Sequence, residues 1–478
     1  MIKRIRFLII LIVFASGKPF ILEAKDITLT IHLRGVYSSD ISLMTTNQAN
    51  QLIETILSRK SVLNGDTAIL HVPAEFLPGE FVLRFDYKEK ASSSPYPAEK
   101  NFIINHQELE LWVHPIYSNN ADSTWFQDDE AENSALTRFM TENYAQKEMV
   151  GMLQNFLVNY DDDQSEFYQE GVREYEKRRK AHNQWISDQV KHDRDLFVST
   201  LYNFQYVPEI RFEGPETERR QSLRDHYFDY IDFNDSLLIR TRDFKSWMDQ
   251  YVNLYGEDAT TASIRDSLFT LAGKNAVEKA RAGHPVIYGW MVDYFYKGYE
   301  SFNIQPGIAM LAPYLDDPDC LTSKRQAIIK RLEGMKTLVK GTIAPDFNYT
   351  DESGKQSGFL NYTSDTPYKL VLFWSADCPH CMELVSKLYN WWDQPENGKK
   401  LTVFALSLDD TETEVAEYHK VVKSLTGWQH MLTRGGVNSP EANSYFILAT
   451  PVMILVDARS NEIVSMPENL GQLESALK

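Results

Sequence analysis

The chain has 478 residues, too many for one ordinary core, and its 43% apolar and 12% aromatic content is enough to fold two to four domains. Sixty-seven acidic against 49 basic residues leave a net charge of -18. That charge repels polyphosphate backbones and sets nucleic acid aside as a partner, though it equally serves to keep a soluble protein soluble.

In chain order, the basic cluster Lys3, Arg4 and Arg6 precedes a short apolar stretch from Phe7 to Ala15. Charge followed by so short a hydrophobic run reads as a secretory signal over 1–24, too short to span a bilayer as an ordinary helix. Gly17 and Ala24 both offer a small residue for cleavage, and retention as a membrane anchor is the alternative. The expected location is therefore the periplasm or cell envelope, where disulfide chemistry is permitted. Secreted folds held by bridges carry many cysteines; three in this chain are too few for that purpose.

From 27 to 115, runs such as "ITLTIHL" and "EFVLRFDY" alternate with period two and are broken by "PGE" and "ASSSPYP". This pattern predicts an antiparallel β domain, with Pro78 and Gly79 at the bend of one strand pair. It holds no catalytic constellation. Residues 130–336 read as a helical domain: Ile186, Val190, Phe197, Leu201 and Phe204 recur at helical spacing, and further helices are predicted over 240–255, 261–282 and 286–302. The run Lys177, Arg178, Arg179 and Lys180 follows Glu174 and Glu176, which predicts a solvated, ion-paired helix face. Core packing accounts for most of the aromatic residues here, a substrate or partner groove being the other reading.

The segment 341–478 begins with two short strands around a turn at Ser353 and Gly354. The continuous apolar strand "YKLVLFWS" follows, then a helix running from the cysteines to about Trp392. "LTVFALSLD", a helix over 411–426, "TPVMILVD", "EIVSM" and a helix after Pro467 complete an α/β region with a parallel core. The predicted architecture is thus multidomain: an N-terminal antiparallel β domain, a helical middle and a C-terminal α/β domain.

Two of the three cysteines lie in "SADCPHCMEL". A closed tetrahedral metal site takes four ligands, and one Cys-x-x-Cys supplies two; with no second pair and scattered histidines, no metal is expected. Where a buried strand turns into a helix, the pair reads as redox-active. Free backbone N–H groups and the helix dipole favour an anion at the first position, which makes Cys378 the attacking thiolate. Cys381, one turn on, resolves the mixed disulfide, with no bound cofactor. Pro379 suits the first helical turn because its missing N–H has no partner there. His380 either assists the thiolate or is a solvent-facing loop residue.

These residues give the C-terminal region a resemblance to the thioredoxin fold, in its TlpA/ResA-type periplasmic branch. The matching pieces, in order, are "GTIAPDF", "DESGK", "VLFWSADCPHC" and "ATPVMILVD". The resemblance implies a cis-proline at Pro451 facing the disulfide and a substrate strand pairing with the backbone of Thr450. It also implies that Trp374 lies on the substrate side, that the substrates are protein disulfides or dithiols, and that a membrane-bound thiol donor supplies electrons. The whole chain, with "DHYFDYIDFNDSLLIRTRDF" in its helical part, resembles multidomain TlpA-like proteins of the Bacteroidetes group. Peroxiredoxins share the "APDF" entry, but their peroxidatic Pro-x-x-x-Thr/Ser-x-x-Cys pattern is absent.

Three positions depart from the family. Leu372 stands where thioredoxin has a buried acid, Asp377 replaces the tryptophan before the first cysteine, and Ser386 replaces the helix proline. Glu383 is either a substitute base or a surface carboxylate. Cys320 reads as structural or unpaired, with a regulatory partner as the alternative. The expected activity is an exported thiol-disulfide oxidoreductase that reduces protein disulfides. Pro-His between the cysteines also occurs in strongly oxidising members, and a binding or scaffold protein with a vestigial redox domain is the reading from another class.

Overall fold

The computed structural model describes residues 25–47, 52–212, 214–350 and 356–478. The signal expected over 1–24, the turn at Ser353 and Gly354, and "DESGK" lie outside the described residues. The chain forms two compact units, Met1–Leu254 and Tyr255–Lys478; the division falls within the helical stretch.

The strands of the first unit are β1 (Ile27–Leu33), β2 (Ser38–Asn47), β3 (Leu52–Leu63), β4 (Thr67–Val72), β5 (Gly79–Lys88), β6 (Tyr96–Ile104), β7 (Leu109–Val113) and β8 (Trp125–Phe126). They make two sheets, ordered β4-β1-β7-β8 and β3-β2-β5-β6. Period-two alternation holds along β1: Ile27, Leu29, Ile31 and Leu33 are buried and join Phe81, Phe85 and Phe102 in one core. Each such side chain, fully buried, contributes about 1.5–3 kcal/mol. Two expectations are corrected. β1 pairs with β7 in parallel, Leu29 opposite Leu109, so this β domain is not wholly antiparallel. Nor do β4 and β5 form a hairpin at Pro78 and Gly79; a 3-10 turn, Ala74–Phe76, carries the chain from one sheet to the other.

Long helices follow at Glu132–Asn159 and Glu166–His192, the second capped by the Ser165 hydroxyl, which accepts from the Tyr168 N–H at 3.1 Å. The run read as one helical periodicity is divided. Ile186 and Val190 lie on the long helix, Leu201 on the short helix Val198–Tyr202, and Phe204 in a 3-10 turn. The basic run is corrected at one position. Lys177, Arg178 and Lys180 are exposed and pair with Glu174 or Glu176, but Arg179 is 2% exposed. Its guanidinium is held by Glu176 at 2.9 Å and donates to the Val207 carbonyl at 3.4 Å.

The second unit opens with helices that include Ala262–Arg281, Pro285–Ser301 and Arg325–Thr337. Its strands are β9 (Asn348–Thr350), β10 (Gln356–Gly358), β11 (Tyr368–Trp374), β12 (Leu401–Ser407), β13 (Gln429–Leu432), β14 (Val452–Asp457) and β15 (Ile463–Ser465). β9 and β10 pair with each other, and the other five form a sheet ordered β13-β12-β11-β14-β15. β11, β12 and β13 run parallel, while β14 and β15 pair antiparallel. The sheet thus has the expected parallel core, with β14 and β15 added antiparallel at one side, and β13 is an unforeseen fifth strand. Helices Pro379–Trp392, Glu412–Val421 and Leu470–Ala476 accompany it. β11 is buried on both faces. Leu370, Leu372 and Trp374 pack with Cys381, Val385 and Leu388, while Val371 and Phe373 pack with Phe347, Phe404 and Tyr445. Among the described residues no helix is long and apolar enough to cross a membrane.

Candidate active site

β11 ends at Trp374, and the chain turns through Ser375, Ala376 and Asp377 into the helix Pro379–Trp392. The Cys378 N–H donates to the Ser375 carbonyl at 3.4 Å, closing the turn. Cys378 is the helix N-cap, in extended backbone, and its sulfur accepts the Cys381 N–H at 3.2 Å, the place a Ser or Asp oxygen takes in an ordinary cap. The helix begins here because Pro379 at its first position needs no N–H partner. Both cysteines are free thiols. Cys378 is half-buried, and Cys381 is 0% exposed within the core.

Across from the pair, the peptide bond between Thr450 and Pro451 is cis, and the Thr450 carbonyl lies 3.9 Å from the Cys378 sulfur. These residues reach the site from the loop that enters β14. Burial is the main force on the Cys381 thiol and, with the Cys378 sulfur beside it, pushes its pKa up to about 12; hydrogen bonds from Thr450 and the Ser375 backbone act against that rise. One sulfur is thus reachable and held by a backbone donor, and the other is kept protonated in the core.

The structure brings Cys378, Cys381, Thr450 and Pro451 together. It keeps Trp374 apart from them. Trp374, expected on the substrate side, is 0% exposed; its ring faces Tyr418 at 6.0 Å within the core, so it supports the site from beneath. His380 and Asp377 are exposed, and the Asp377 N–H donates to the Ser375 hydroxyl at 3.2 Å. Glu383 pairs with Lys387 at 2.7 Å on the helix surface, and that ammonium holds its carboxyl below the usual range. Its carboxylate belongs to the surface, and Leu372 is fully buried. Ser386 is exposed on a helix that runs unbroken to Trp392. Cys320 is 1% exposed, and burial pushes its thiol up.

Asp409 is the residue that sequence reading missed. It lies two positions past the end of β12 and is 1% exposed. Its carboxylate accepts from the Ser375 hydroxyl at 2.6 Å, the Ala376 N–H at 2.9 Å and the Ser407 hydroxyl at 2.6 Å. The available signal was an acid just past the apolar run of β12, at the carboxyl end of a parallel strand, where sites in α/β sheets collect. Among the described residues no group of three or more His, Cys, Asp or Glu is arranged to hold a metal ion.

The strand order, the mixed pairing, the dithiol at the strand-to-helix junction and the facing Thr450–Pro451 loop define a thioredoxin-like domain. No protein-family model matches the chain, and no curated protein matches it. Solved structures that overlap it include a thioredoxin-like protein from Bacteroides caccae, 18% identical, covering 57% of this chain and 96% of that one, with a TM-score of 0.38. Another is the thioredoxin domain of a thiol-disulfide oxidoreductase from Bacteroides vulgatus, at 23% identity, 29% and 96% coverage, and a TM-score of 0.25. A domain of a possible thiol-disulfide isomerase from Cytophaga hutchinsonii overlaps at 26% identity, 29% and 91% coverage, and a TM-score of 0.25. Geometry, rather than these partial overlaps, carries the chemistry.

Proposed function

We propose that this protein is an exported thiol-disulfide oxidoreductase that reduces disulfides in protein substrates of the periplasm or cell envelope. The observation that carries the reading is the asymmetry of the pair: the Cys378 sulfur is half-buried, accepts the Cys381 N–H at 3.2 Å and faces the Thr450 carbonyl, while Cys381 is enclosed. Cys378, as thiolate, attacks one sulfur of the substrate disulfide; that S–S bond breaks, and the departing sulfur leaves as a thiolate that takes a proton. Cys381 then loses its proton to solvent and attacks the Cys378 sulfur, releasing the second substrate thiol. The substrate gains two electrons and the dithiol loses two, forming the Cys378–Cys381 disulfide. A membrane-bound thiol donor returns the pair to the dithiol. No cofactor or metal takes part, and nucleic acid is not a partner.

Replacing Cys378 by Ser is expected to abolish reduction of a protein disulfide and formation of any mixed disulfide; undiminished turnover would end the proposal. Direction is read from the reduction potential. A value near or below about -270 mV supports the reductase, and one near about -120 mV turns the same chemistry toward disulfide formation.

A further inference from the structure

Cys378 has a partner of its own for its sulfur, the Cys381 N–H of the helix it caps. Cys381 is different: it is enclosed in the core, in the same cluster of side chains as Trp374 and Ala376, the residues on either side of Ser375. The turn therefore forms part of the wall against which the resolving sulfur is held, and the backbone of Ser375 acts against the rise that burial gives its pKa. Ser375 also accepts the Cys378 N–H on its carbonyl and the Asp377 N–H on its hydroxyl, so it joins the end of β11 to the whole turn.

What holds Ser375 in place comes from the neighbouring strand. Its hydroxyl proton goes to Asp409 at 2.6 Å, and the next N–H, of Ala376, goes to both oxygens of the same carboxylate, at 2.9 and 3.1 Å. Asp409 is fixed in turn. The Ser407 hydroxyl donates to it at 2.6 Å and accepts its N–H at 3.2 Å, and the Ser407 carbonyl takes the Thr433 N–H and hydroxyl at 2.9 and 2.8 Å. The carboxylate is 1% exposed, and Ser407 is 0% exposed. A buried carboxylate is costly unless its oxygens are filled. Here the donors that fill it include two from the turn leading into the dithiol.

We propose that Asp409 is the positioning residue of this dithiol, acting through Ser375 to hold the backbone of the active-site turn against Cys381, so that it governs the resolving step more than the first attack. The inference rests on the redox reading above. Chemically, it concerns the step in which Cys381 gives up its proton to solvent and its thiolate displaces the substrate sulfur from Cys378. A turn that has drifted from Cys381 no longer fixes the resolving sulfur in line with Cys378, while the Cys378 sulfur keeps its helix donor.

The test uses the full chain carrying Cys320→Ala, with the chromogenic disulfide dithiobis-nitrobenzoate as the probe. Attack by Cys378 releases the first equivalent of coloured thiolate and resolution by Cys381 the second, so one stopped-flow trace reads both steps. Asp409→Asn places an amide N–H₂ among donors; it is expected to slow the second phase by roughly tenfold or more and the first by less than roughly threefold. Ser375→Ala, which leaves Asp409 its bonds to Ala376 and Ser407, is expected to slow the second phase several-fold, and Ser375→Thr, which keeps the hydroxyl, to restore it. If Asp409→Asn does not fold, the Ser375 pair decides. Equal slowing of both phases, or none, in a folded variant would overturn the inference while leaving the redox reading intact. A parent chain with no first phase from Cys378 would remove both.

Discussion

Among residues up to Leu254, Glu132 and Arg179 are 3% and 2% exposed. The carboxylate of Glu132 accepts the N–H groups of Phe197 and Val198 at 2.9 and 2.8 Å, and Arg179 is held by Glu176 and Val207. Among residues from Tyr255 onward, Asp409 is buried to the same degree and is bonded as fully, yet the turn it holds ends at a half-buried sulfur. The same physics, a buried charge made tolerable by donors, serves packing in one unit and reactivity in the other. Burial of charge is therefore no guide to a site by itself; what distinguishes the second unit is that the satisfied network ends on a group able to react.

The largest expected effect separates the two. Cys378→Ser is expected to lose all disulfide reduction while leaving the urea midpoint nearly unchanged, because the hydroxyl can still cap the helix by accepting the Cys381 N–H and only a half-buried sulfur is lost from the edge of the core. Arg179→Ala is expected to do the reverse. It empties the space of a buried guanidinium while Glu176 keeps Lys180, and should cost about 2–3 kcal/mol in urea unfolding, with activity per folded molecule retained. A fall in both quantities for either variant would break the comparison.

A smaller effect concerns His182, 1% exposed, whose Nε2 lies 2.9 Å from the Asn143 Oδ1 and whose Nδ1 has no hydrogen-bond partner. Burial, with Lys147 nearby, lowers its pKa from 6.5 to about 4. A depressed folded pKa means that the unfolded chain binds the proton first. Its contribution is then fully present above about pH 6.5 and is lost as pH falls toward 4, by up to about 3 kcal/mol. His182→Gln should flatten that part of the stability profile; an unchanged slope would contradict a neutral, buried imidazole. The smallest effect is at Glu383, whose pair with Lys387 is exposed on both sides. Glu383→Ala is expected to leave both turnover and the urea midpoint unaltered, and a clear loss of turnover would restore it as the substitute base.

Much of the site was legible because it lies where local pattern and chemistry coincide: a continuous apolar run, two cysteines and a proline at the first helical turn announce the junction without tertiary information. Pro451 followed from the resemblance alone, since nothing local marks a cis peptide bond. What escaped depends on partners distant in sequence. β13 is the four-residue "QHML", half-buried throughout, too short to show a period. The parallel pairing of β1 and β7 joins strands some eighty residues apart. Arg179 is indistinguishable from its basic neighbours until Val207 closes over it. Trp374 continues an apolar run whose two faces the sequence cannot assign to solvent or core. Asp409 stands next to Asp410 in "SLDD", and only the fold brings it to Ser375.

The central claim is that Cys378 is the sulfur that attacks. The most direct measurement is covalent trapping: the full chain bearing Cys381→Ser is incubated with a disulfide-containing protein substrate, and the adduct is located by peptide mass mapping. A mixed disulfide on Cys378, absent from the variant that also carries Cys378→Ser, is the predicted result. An adduct on Cys320, or none at all from a folded protein, would contradict it.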